Sequence, residues 1–183
     1  STPAEKESGY KEMRDKIMQQ LSTLLAANEG ITGFCTGEGS VVKLSVREED
    51  EQFICTRQYP IAHSLEEAVD ECLQRWLQQG RIQLAPTGCK FNSPFLAVLK
   101  KDEQGKMKGV RVCIDIRKLN KYLIEDDRFQ IPHIPEMLST LAGGRIFGEF
   151  DLSEAYFQFK VAEESRKYTA FTWKKQQYVF AGC

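Results

Sequence analysis

The hydrophobic period of this chain changes at Gly80, and that change limits its fold class more than any other feature. Before it, SLEEAVDECLQRWLQQG repeats apolar side chains at helical spacing, with Leu65, Ala68, Val69, Cys72, Leu73, Trp76 and Leu77 on one face. Ser64 and Glu67 have the spacing of a capping box, and Gly80 can end the helix, so the pattern predicts a helix over residues 64–79 with Trp76 in the core. After Gly80 the runs shorten to strand length: RIQLAP, FLAVLKK, VRVCIDIRKLN, RIFGEF, YFQFKVAE, KYTAFTW and QQYVF. FLAVLKK and VRVCIDIRKLN flank the loop DEQGKMKG and predict a hairpin over residues 95–120. Few helices and many strands beyond Gly80 imply an α+β fold, an antiparallel sheet with packed helices.

Two further helices are expected. GYKEMRDKIMQQLSTLLAAN, residues 9–28, aligns Met13, Ile17, Leu21, Leu24 and Leu25, with Gly30 as its stop. IPHIPEMLSTLAGG has Pro135 at a first helical turn, an apolar face of Met137, Leu138 and Leu141, and two glycines behind it. Residues 31–61 carry a weaker pattern: GSVVKLSV and QFICTRQYP read as strands around the acidic run Glu48, Glu49, Asp50 and Glu51, and no site is placed there.

A chain of 183 residues with 42% hydrophobic and 28% charged residues can bury a core. Its six cysteines are scattered without a CxxC pair, and only two histidines could help ligate a metal, so they read as reduced, intracellular cysteines. No apolar run approaches the about 18 residues of a membrane span, and the N-terminus lacks the parts of a signal peptide. A soluble protein of the cytoplasm or nucleus, without membrane, is expected. The chain stops at Cys183 inside an apolar run, which reads as truncation. The net charge of −1 announces no nucleic acid, yet Lys90, Lys100, Lys101, Lys106, Lys108, Arg111, Arg117, Lys118 and Lys121 crowd one segment. Its plainest reading is a solvated hairpin surface.

Asp151 follows directly on RIFGEF, which reads as a buried strand, and an unpaired carboxylate there costs several kcal/mol. Something positive should meet it. Ser153, Glu154 and Tyr156 stand just beyond, while Lys101 and Arg111 come from facing strands of the predicted hairpin. A strand-end carboxylate with a lysine and an arginine suits Mg²⁺ and a polyphosphate, through hard oxygen ligands and phosphate-binding cations. A structural ion pair between Asp151 and a hairpin cation explains the same residues, and Tyr156 reads equally as a core tyrosine.

Taken in order, NSPFLAVLKK, VRVCIDIRKLNK, the long block from RFQIPHIPEM to KYTAFTW, and YVFAGC resemble the fingers and first part of the palm of reverse transcriptases from gypsy-type long-terminal-repeat retrotransposons. The resemblance runs over about residues 41–183. It implies a right-hand polymerase fold in three parts: 1–40 a helical extension or linker, 41–134 fingers-like, and 135–183 a partial palm, truncated before the second catalytic aspartates. It implies that Asp151 is catalytic and binds Mg²⁺ together with the carbonyl of Leu152. Lys101, or Lys100 beside it, and Arg111 would hold the triphosphate, and Tyr156 would be the aromatic gate that crowds the ribose 2′ position. Asp115 would belong to the nucleotide site, and Arg117, Asn92 and Ser93 to the template path. The partners implied are an RNA or DNA template–primer and a deoxynucleoside triphosphate.

The Tyr-x-Asp-Asp turn of that family is absent from these residues, as is the Pro-Phe-Gly-type segment expected after YVFAGC. The chain alone is therefore expected not to polymerise, because one carboxylate cannot fix two divalent ions. The competing expectation is a repurposed, non-catalytic module that binds nucleic acid or a protein, with the open palm edge inviting a homodimer. Such a module has no physical need of the phosphate cations, the gate and the aspartate, all of which are present.

Overall fold

The computed structural model describes residues 3–29, 33–124, 132–145, 147, 151–152 and 154–182. The chain forms two units, Ser1–Gly33 and Phe34–Cys183. The first holds one helix, α1 (Pro3–Glu29), longer at its start than the expected 9–28. Its stripe of Met13, Ile17, Leu21, Leu24 and Leu25 is present but exposed. Gly30, the expected stop, lies outside the described residues.

The second unit is built on β1 (Val41–Val42), α2 (Glu66–Gln78), β2 (Ile82–Leu84), β3 (Phe95–Lys101), β4 (Met107–Ile114), α3 (Arg117–Tyr122), α4 (Ile134–Leu141), β5 (Lys160–Val161), α5 (Glu163–Arg166), β6 (Phe171–Trp173) and β7 (Gln176–Phe180). Strands β2, β7 and β6 form an antiparallel sheet in that order, β3 and β4 form the hairpin, and β1 lies parallel to β5. This is an α+β arrangement. Helix α2 buries Val69, Cys72, Leu73 and Trp76 in a cluster with Ile82, Phe95, Val110, Val112, Phe171 and Tyr178. Aromatic edges and faces tie that cluster together: Phe95 meets Phe171 at 6.0 Å and Trp173 at 5.6 Å between ring centres. A second cluster gathers Ile54, Phe91, Leu119, Tyr168, Ala170 and Val179.

Helix α2 ends as its sequence implies. The N–H of Gly80, at φ 67°, donates to the carbonyl of Leu77, and that of Arg81 donates to Trp76, closing a Schellman turn. Its start differs from the expectation. Ser64 sits inside a 3-10 turn, His63–Leu65, and no side chain caps the helix. The reason is that the N–H of Leu65 already donates to Ala62, so the chain is helical before Ser64 could act as a cap.

Three strand expectations are corrected. Strand β4 stops at Ile114 rather than running on through RKLN, because Leu119 must reach the second cluster, where it is 2% exposed. The chain turns into α3, and the N–H of Asn120 donates to Ile116. QFICTRQYP forms no strand: Gln52 and Phe53 close a 3-10 helix, Glu48–Phe53, that takes in the acidic run, and the rest is irregular apart from a single bridge from Cys55 to Asn92. YFQFKVAE divides into a 3-10 helix, Ala155–Gln158, then β5 and α5. Most of RIFGEF, and with it the strand expected to end at Asp151, lies outside the described residues. Asp151 and Leu152 themselves have irregular backbone. Among the described residues no helix is long and apolar enough to cross a membrane.

Candidate functional site

Alternation along β4 presents Arg111. Val110 and Val112 are buried beneath α2, so Arg111 between them faces the other way and is exposed. Pairing runs in register from Phe95 with Ile114 to Lys100 with Gly109, then shifts so that Lys101 pairs with Met107. The shift inserts one extra residue in β4, a bulge, and Gly109 beside it takes φ 129°, a conformation closed to side chains. The tip is ordered by Asp102, whose Oδ1 accepts the N–H groups of Gln104 at 3.0 Å and Lys106 at 2.8 Å. Lys101 is exposed, and neither it nor Arg111 forms an ion pair with another described residue.

At the base of the hairpin, Asp115 and Arg117 are joined. Arg117 donates through Nε at 2.8 Å and Nη2 at 2.7 Å, and Tyr59 donates its hydroxyl to the same carboxylate at 3.2 Å. The Arg117 guanidinium holds the Asp115 carboxyl well below the usual carboxylate range, and Asp115 in turn raises the pKa of Arg117. Asp115 is largely enclosed while Arg117 is open to solvent, so one edge of the guanidinium is anchored and the remainder is available. Both line a shallow cleft with Thr56, Tyr59, Pro94 and Lys118. Asn92 and Ser93 are differently employed. The Asn92 amide donates to the Thr56 carbonyl at 2.6 Å and its oxygen accepts from Thr172 at 2.7 Å, which ties two segments of the body together. Ser93 is buried, its N–H donating to Ala170 at 2.7 Å.

Asp151 and Leu152 are exposed, and the expected pairing of Asp151 with a hairpin cation does not occur among the described residues. Tyr156 is 81% exposed, so it is not a core tyrosine. The 3-10 turn that carries it begins at Glu154 in the left-handed region, φ 50°, a conformation that costs a residue with a Cβ about 1–2 kcal/mol. Arg81 compensates: its Nη1 donates to Glu154 Oε1 at 3.0 Å and its Nη2 to Oε2. These bonds lower the Glu154 pKa against the opposing effect of burial. Sequence reading missed Arg81, since 73 positions separate the partners and no local pattern connects them. It also missed Glu51 in the acidic run, which Lys90 meets at 2.8 Å, Tyr168 at 2.7 Å and Lys167 at 3.2 Å. Those three donors, Lys90 foremost, pull the Glu51 pKa down to about 2. Among the described residues no group of three histidine, cysteine or acidic side chains could hold a metal.

The described residues thus form a mixed helix–strand fold with an exposed basic hairpin. Residues 98–183 match the family reverse transcriptase (RNA-dependent DNA polymerase), a range that contains Lys101, Arg111, Asp115, Arg117, Asp151 and Tyr156. The chain is thus a reverse transcriptase segment of retrotransposon type, homologous to Pol polyproteins. It is 36% identical over 127 residues, 69% of its length, to the retrovirus-related Pol polyprotein from transposon 297 of Drosophila melanogaster. Against that from transposon gypsy it is 30% identical over 176 residues, 95% of its length, and against that from transposon 412 it is 30% identical over 142 residues, 77% of its length. The chain spans only 12%, 16% and 11% of those three relatives. The family generally uses divalent metal ions, and the reading as a repurposed binding module is not favoured.

Proposed function

We propose that this chain is the fingers, over residues 41–134, and the first part of the palm, from residue 135, of a reverse transcriptase that copies an RNA or DNA template into DNA. The observation that supports this best is that Lys101, Arg111, Asp151 and Tyr156, all within the matched range, are exposed and none forms an ion pair with another described residue. Lys101 and Arg111 bind the triphosphate, the lysine as a compact charge and the arginine as a fork. Arg117, held in one pose by Asp115 and Tyr59, contacts a template phosphate beside Lys118. The ring of Tyr156 crowds the sugar 2′ position and favours deoxynucleotides. Asn92 and Ser93 support this path from within, by fixing the strand that leads into the hairpin.

Mg²⁺ is commonly held by one or two carboxylates together with substrate phosphates, and the exposed Asp151 carboxylate with the Leu152 carbonyl suits one part of such a set. When bound, the ions activate the primer 3′-hydroxyl and neutralise the leaving pyrophosphate. The 183 residues contain no Tyr-x-Asp-Asp turn to complete the set, so this chain alone does not extend primers.

Nucleic-acid binding tests the hairpin directly. Titration of a labelled primer–template should give weak affinity, roughly 10⁻⁴ to 10⁻⁶ M, falling with salt by a log–log slope of about −0.9 per duplex phosphate neutralised. Arg111→Glu and Lys101→Glu should each weaken binding and flatten the slope. If neither does, the hairpin is a solvated surface and the proposal fails there.

A further inference from the structure

The turn that carries Tyr156 is gripped by a residue from a distant part of the chain. Arg81 holds the carboxylate of Glu154 by both of its terminal nitrogens, and its guanidinium lies 4.5 Å from the ring centre of Phe157. Phe157 in turn meets Trp76 at 5.5 Å and Phe180 at 6.3 Å. One planar cation thus touches the residues on both sides of Ala155 and Tyr156. Arg81 is itself fixed: its N–H donates to the Trp76 carbonyl at 2.9 Å, and its carbonyl accepts the N–H of Ala181 at 2.8 Å. Its side chain is only 18% exposed. Among the described residues Tyr156 has no comparable support, being 81% exposed, so the position of its ring follows from the turn beneath it. The strained backbone of Glu154 persists because this surrounding grip over-determines it.

We infer that Arg81 is a positioning residue that holds the Glu154–Phe157 turn in place, sets the position of the Tyr156 ring, and so tunes discrimination between deoxynucleotides and ribonucleotides. The last step rests on reading Tyr156 as the sugar gate. Lysine is only a partial substitute at this site, because it keeps the charge but offers neither the fork for Glu154 nor a plane for Phe157.

Amide hydrogen exchange on the chain as it stands tests the grip. The N–H of Phe157 donates to the Glu154 carbonyl at 2.9 Å and reports the turn, while that of Val179 in β7 reports the body. Arg81→Met should speed exchange at Phe157 by about three- to tenfold and leave Val179 unchanged. Arg81→Lys should have a smaller effect, and the reciprocal pair Arg81→Glu with Glu154→Arg should recover most of the protection. Unchanged exchange at Phe157, or equal acceleration at Val179, overturns the inference. A second readout addresses selection, in a polymerase made by joining the chain at Cys183 to the segment that follows the matching region of the transposon gypsy polyprotein. There Arg81→Met should lower the ratio of kcat/KM for deoxynucleotide over ribonucleotide by about three- to tenfold. An unchanged ratio removes the link to sugar selection. A parent that incorporates no nucleotide overturns the polymerase reading instead, and the exchange result still decides the grip.

Discussion

Around β6 and β7, each carboxylate that approaches the core is supplied with partners: Glu51 by Lys90, Lys167 and Tyr168, and Asp70 by Lys174 and the indole of Trp173. In the described part of residues 132–158 the apolar side chains Ile134, Met137, Leu138, Leu141, Leu152 and Tyr156 stand exposed, and Asp151 has no cation among the described residues. The same unit therefore contains carboxylates that are supplied with donors and one, Asp151, that has no cation among the described residues. A carboxylate surrounded by donors stabilises the fold. One left open and exposed can take a ligand without first breaking a bond. This distinction separates Glu51 and Asp70 from Asp151, although composition alone would rank the run of Glu48, Glu49, Asp50 and Glu51 as the more conspicuous acidic site.

The largest effect that could break this comparison is on packing. Phe171 is completely buried, so Phe171→Ala should cost about 3–5 kcal/mol in urea unfolding, whereas Leu138→Ala on α4, at 61% exposure, should stay within about 0.5 kcal/mol. Equal losses would mean that α4 is packed as firmly as the body.

The next effect is on pH. The Glu51 pKa falls from 4.5 to about 2 on folding, so its contribution is complete above pH 4.5 and lost as pH falls through about 2. Glu51→Gln should therefore lower stability at neutral pH by on the order of 2 kcal/mol, and the gap between variant and parent should close as the solution is acidified across that window. A gap that persists at the acid end would assign the loss to packing rather than to charge.

What the sequence made legible was periodic. The face of α2 could be read because seven apolar residues repeat at helical spacing, and the hairpin because two apolar runs flank a Gly-containing loop. Where local pattern and tertiary demand disagreed, the reading failed. VRVCIDIRKLN looks like one strand, but the burial of Leu119 and the bond of Arg117 to Asp115 turn its second half into a helix. The spacing of Leu119 and Leu123 was the available signal. The exposed residues of the candidate site were named from an ordered family resemblance. The residues that hold them, Arg81 and Tyr59, were not, because each acts through a partner tens of positions away: Glu154 for Arg81 and Asp115 for Tyr59.

Single-nucleotide incorporation with Mg²⁺ tests the central claim most directly, using the polymerase made by joining the chain at Cys183 to the succeeding segment from transposon gypsy. The parent fusion should extend a primer, the 183-residue chain alone should not, and Asp151→Asn in the fusion should abolish incorporation while stability stays within about 0.5 kcal/mol of the parent. Incorporation that survives Asp151→Asn, or that the isolated chain performs unaided, would contradict the assignment of Asp151 as the open carboxylate of a reverse transcriptase.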